Sequence, residues 1–144
     1  MIALALAAAV SQIEIPPSNC TLAQAERITL EMAIEEGERL NRRCVALRGI
    51  WSGRALYRDL AHARLERSEI AEGNAPYRIG LSAPDAIARR AAPSAHYLMV
   101  GILYDCSVFD GEEVYGYCHF HLRGPLLAVT HAYRDRWPTP RWER

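Results

Sequence analysis

The chain has 144 residues, half of them hydrophobic, with 17 cationic against 17 acidic side chains. That is the size of one domain with enough apolar material for one core. A net charge of zero excludes a global field drawing the protein to nucleic acid or to an anionic membrane surface. Every cation is Arg and none is Lys; with the abundant Ala, this fits the codon bias of a GC-rich bacterial genome rather than a function.

Residues 1–10 (MIALALAAAV) form an apolar, Ala-rich run with small residues at positions 5, 7 and 9. They resemble the hydrophobic and cleavage regions of a secretory signal, without its basic leader. A start placed too far downstream accounts for the missing basic part. Spanning a bilayer takes about 20 apolar residues, more than the run offers. The expected location is therefore periplasmic or secreted, with residues 1–10 a truncated signal peptide, 20–133 one domain and 134–144 a tail.

IPPSN (15–19) reads as a linker. TLAQAERITLEMAIEE (21–36) follows, with Thr21 and Gln24 at capping-box spacing and Gly37 after its end. It is predicted as an amphipathic helix. Ile28, Leu30, Met32 and Ile34 also alternate at strand period, so a strand is the competing assignment.

From Arg43 the pattern turns to β. RCVALRGIW (43–51), RALYRDLAHARL (54–65) and YRIGLS (77–82) are three predicted strands, the first turning at Ser52-Gly53. APDAIARRAA (83–92) is a predicted helix, with Pro84 in its first turn, Asp85 suited to the helix dipole, and Pro93 ending it. HYLMVGILYDC (96–106) is a fourth strand; after a turn at Asp110-Gly111, residues 113–129 give a fifth, bent near Arg123-Gly124-Pro125.

Three strands, a helix and two strands is the order of the OB-fold, a five-stranded Greek-key barrel. CVALRGIW resembles the first strand of small bacterial OB-fold proteins, where aliphatic alternation ends in a Gly that lets the strand curl. LMVGIL resembles a fourth strand with a comparable Gly. The expected fold is thus mainly β: an OB-like barrel preceded by an N-terminal amphipathic helix. A helix across an antiparallel sheet, cystatin-like, is the alternative.

Cys20, Cys44, Cys106 and Cys118 form an even set without a C-x-x-C pair, which reads as two structural bridges in an oxidising compartment. Cys106 and Cys118 flank a short turn and are expected to pair, leaving Cys20 with Cys44. The rival pairing is Cys44 with Cys106, because the first and fourth strands of an OB barrel are antiparallel neighbours. In the fifth strand His119 and His121 share a face opposite Cys118. They are a packed or surface pair, or, as a third functional class, a metal site completed from outside.

No nucleophile elbow, P-loop or H-E-x-x-H helix occurs, so no enzyme and no cofactor is expected. Binding is the better reading, because OB-folds bind on the face of their second and third strands and the flanking loops. Residues 39–67 hold eight Arg against Asp59 and Glu66. Trp51, Arg54, Tyr57 and Arg58 are the expected ligand-binding set. In an exported protein the partner is an anionic glycan, a lipid headgroup or an acidic envelope protein. In a cytoplasmic one it would be single-stranded nucleic acid, held by stacking and phosphate contact. The structural alternative is that these Arg pair with the acidic helix and hold it to the barrel.

Overall fold

A computed structural model describes residues 19–65, 77–92, 94–106 and 125–135. Its elements are β1 (Glu26–Arg27), α1 (Leu30–Glu35), α2 (Gly37–Leu40), β2 (Cys44–Ser52), β3 (Ala55–Tyr57), α3 (Leu60–Leu65), β4 (Arg78–Ser82), α4 (Asp85–Ala88), β5 (Ala95–Asp105) and β6 (Pro125–Arg134).

Five strands close on themselves in the order β2-β3-β4-β6-β5, with β5 returning to β2. β4 and β6 run parallel, and the other barrel neighbours are antiparallel. This is the expected OB-like Greek-key barrel, and its closure rules out an open sheet crossed by a helix.

Period-two alternation sends Val45, Leu47 and Trp51 of β2, and Tyr97, Met99 and Leu103 of β5, into one buried interior. Each fully buried side chain of this size contributes about 1.5–3 kcal/mol. Two glycines sit in the same inward rows. A Cβ on Gly49 would come within 2.6 Å of Leu56 Cγ and 2.8 Å of the Tyr57 carbonyl oxygen. One on Gly101 would collide with the Ala128 carbonyl. The strands can curl and approach closely only where these side chains are missing, as the aliphatic-then-Gly pattern suggested.

The N-terminal segment departs from the predicted helix. Gln24 Oε1 accepts the Thr21 N–H, half of a capping box, while the Gln24 N–H goes to the Thr21 carbonyl, and only one turn forms. Glu26 and Arg27 instead pair in parallel with Val45 and Ala46. The helix starts at Leu30, where Thr29 Oγ1 accepts the Met32 N–H at 3.1 Å. The cause lies outside the local sequence. The Cys20–Cys44 bridge draws the chain along β2, and Cys20 packs with Ala46 and Val100 on the barrel's outer wall.

The second predicted strand is also shorter than expected. β3 stops at Tyr57, and Asp59 begins α3 by accepting the His62 N–H at 2.9 Å. Ala63 of α3 covers Ile50, Ala55 and Tyr57, the outward residues of β2 and β3. A helix therefore lies over the outer side of the first and second barrel strands, the second of which belongs to the face on which OB-folds commonly bind.

Candidate functional site

The four predicted ligand-binding residues divide between interior and surface. Trp51 points into the barrel, edge-on to Tyr97 at 5.2 Å, and its indole N–H donates to the Gly53 carbonyl at 3.0 Å. Tyr57 is fully buried beneath α3. Neither offers a ring to solvent on the β2–β3 face, which corrects the expectation of aromatics interleaved with exposed Arg. Their spacing in sequence was right for a stacking platform, but alternation and α3 bury both. Arg54, in the turn before β3, and Arg58, just after β3, are exposed.

Arg58 belongs to a small cluster. Its guanidinium lies 4.5 Å above the Tyr77 ring, and its Nε is 3.4 Å from Asp59. His62 stacks on the same Tyr77 at 4.0 Å between centroids, with Nδ1 at 2.6 Å and 2.7 Å from the two Asp59 oxygens. Partial burial alone would raise the Asp59 pKa. Hydrogen bonds from the His62 main chain and ring, with that of Arg58, outweigh it and hold the carboxyl below its usual range. An ionised carboxylate only accepts, so Nδ1 of His62 carries a proton. Asp59 thus starts α3 and orients both His62 and Arg58.

The remaining Arg of the basic stretch partly fit the structural alternative. Arg39 pairs with Glu36 and Glu26, Arg43 with Glu26, and Arg48 with Asp135 at 2.8 Å. Two of these three thus tie α2 and the start of β2 to β1, and the third ties β2 to the end of β6. All are solvent-exposed on the Arg side, so water and salt screen these pairs and each contributes little.

Cys20 and Cys44 are bonded, with Cα atoms 5.5 Å apart. This overturns the rival pairing of Cys44 with Cys106, although β2 and β5 are antiparallel neighbours as that rival required: Cys44 lies opposite Ile102, four residues short of Cys106. Cys118, the expected partner of Cys106, and the His119 and His121 pair lie outside the described residues. Among the described residues no three His, Cys, Asp or Glu side chains group as metal ligands. No helix among them is long and apolar enough to cross a membrane.

A cavity of about 250 Å³ opens at the α4 end of the barrel, lined by Trp51, Ile87, Arg90, Tyr97, Ala132 and Arg134. α4 is held there by Tyr97, whose hydroxyl accepts the Ala92 N–H at 2.8 Å. Among the described residues no acid lines this cavity, and neither the Arg90 nor the Arg134 side chain makes a hydrogen bond or ion pair with them. Sequence reasoning missed the site because its six residues come from β2, α4, the turn after it, β5 and β6. The one local sign was the basic pair Arg89-Arg90 following the apolar Ile87. No family model matches this chain, and comparison with curated proteins and with solved structures finds no significant match.

Proposed function

We propose that this chain is an exported, disulfide-stabilised binding domain that takes an anionic partner and catalyses no reaction. The observation that carries the proposal is the Cys20–Cys44 bridge, whose Cys20 is buried on the barrel wall. Such structural bridges persist in oxidising compartments and are rare in the cytosol. The bridge also disfavours the cytoplasmic nucleic-acid reading, as does the burial of Tyr57, a ring on which bases would have to stack.

The anionic character of the partner rests on exposed guanidinium groups. Among the described residues Arg54 carries no side-chain partner, and exposed Arg58 meets the half-buried Asp59 and the Tyr77 ring. An anionic glycan, lipid headgroup or acidic envelope protein matches this surface. The test is a salt-dependent titration of the full chain against heparin, phosphatidylglycerol vesicles and single-stranded DNA, beside the Arg54→Gln/Arg58→Gln variant. Binding to heparin or vesicles that the variant loses, with an unchanged melting temperature, supports the reading. No binding to any of the three removes the anionic partner.

A further inference from the structure

Resting on the reading of this domain as a binding module, we infer that the α4-end cavity is a site for a small carboxylate with an aromatic or aliphatic body. Trp51 and Tyr97 line the cavity with ring carbon. The indole N–H is committed to Gly53, and the Tyr97 hydroxyl accepts the Ala92 N–H. Ile87 and Ala132 add aliphatic surface. The carbon of these walls recognises an apolar body by contact.

The polar recognition falls to Arg90 and Arg134. They come from different elements, the turn after α4 and the end of β6, and both line the same cavity. Among the described residues both lack a partner, unlike Arg48, whose charge is met by Asp135 next to Arg134 in sequence. β-strand alternation separates that pair: Arg134 lines the cavity while Asp135 turns to Arg48. Among the described residues the cavity wall therefore holds two cations and no acid, and a planar carboxylate suits guanidinium donors.

Size narrows the class further. A cavity of about 150 Å³ holds benzene. The 250 Å³ here accommodates one ring, or an equivalent short alkyl chain, with a short arm leading to the carboxylate. A polymeric glycan or a nucleic acid strand does not enter it, so this site is distinct from a surface that binds such polymers through Arg54 and Arg58.

The experiment is calorimetric titration of the full chain with 3-phenylpropionate, its neutral counterpart 3-phenylpropanol, and inorganic phosphate. The carboxylate should bind about tenfold or more tightly than the alcohol, the difference expected for a charge-assisted hydrogen bond. Phosphate, lacking the apolar body, should not register. Arg90→Gln and Arg134→Gln should each weaken the carboxylate about tenfold and leave the alcohol unchanged. Ala132→Leu should abolish both by filling the cavity. Arg134→Glu, at an exposed position, excludes the carboxylate without touching the core, so the answer does not depend on repacking. Equal affinities for acid and alcohol, affinities insensitive to both Arg changes, or no heat from either compound at millimolar concentration would overturn the inference. Arg54→Gln/Arg58→Gln should leave 3-phenylpropionate affinity intact. If heparin and vesicle binding fail while the carboxylate still binds, the surface reading falls and the cavity stands.

Discussion

Thr130 donates its hydroxyl to the main-chain oxygen of Cys20 at 2.7 Å, across 110 positions of sequence. Thr130 is the extra residue where β6 slips register against β5 between Val100 and Gly101. A bulge leaves its residue outside the ladder, and here that residue fastens the disulfide-bearing segment to the barrel wall. Thr130→Val should destabilise by about 1–3 kcal/mol, the cost of leaving a shielded carbonyl without its donor. Thr130→Ser should be close to neutral. Urea unfolding at constant m-value reads the difference, and a Val variant as stable as the parent would contradict the role.

Cys44→Ser tests the bridge itself. Closing a loop with a sequence separation of 24 stabilises by about 3.5 kcal/mol in the chain-entropy picture, within the usual range for small secreted domains. The loss should overlap with that of Thr130→Val. Once the segment from Cys20 to Ala25 lifts from β2 and β5, the Thr130 hydroxyl has no Cys20 carbonyl to hold. A double-mutant cycle should therefore be sub-additive, whereas strict additivity would mean that the two contacts act independently.

Gly49→Ala and Gly101→Ala should differ in severity. The first meets a movable Leu56 side chain as well as a carbonyl, and should cost about 1–3 kcal/mol. The second meets the Ala128 main chain, which cannot yield without breaking the β5–β6 pairing. Soluble yield and a thermal melt compare them. Gly101→Ala folding as well as Gly49→Ala would contradict the close approach of these strands.

Those glycines explain why the barrel was readable before the structure. CVALRGIW and LMVGIL carry the alternation and the Gly that curling requires, and both are written into single strands. The N-terminal segment was misread because its fate depends on a covalent bond to β2, which no local propensity encodes. α3 falls within the single run 54–65 read as strand, while the decisive feature is one Asp59 side chain turned back on His62. Trp51 and Tyr57 were placed in a binding set by proximity in sequence. Their burial follows from which face of each strand meets the core or α3, a tertiary property. The cavity was invisible because its six walls never adjoin in the chain.

The Asp59 cap makes a pH-dependent contribution with a definite sign. Its carboxyl ionises below the usual 3.8 in the folded protein, so the folded state favours the charged form. The resulting stabilisation is present above that usual value and is lost as pH falls through the lower, folded-state pKa. Asp59→Ala should lower stability at neutral pH by about 1 kcal/mol, the typical loss of a helix cap. The gap between the parent and Asp59→Asn should close under strongly acidic conditions, as Asp59 itself takes up a proton. A gap that persists undiminished in strong acid would refute the arrangement.

The central claim, an exported domain held by disulfides, is tested most directly by counting thiols in the protein recovered from its native host. Fractionation followed by alkylation and intact mass, with and without reductant, reports compartment and bridges together. The account predicts recovery outside the cytoplasm, with all four cysteines shielded from alkylation until reductant is added. Recovery from the cytoplasm with Cys20 and Cys44 alkylated before reduction would contradict it.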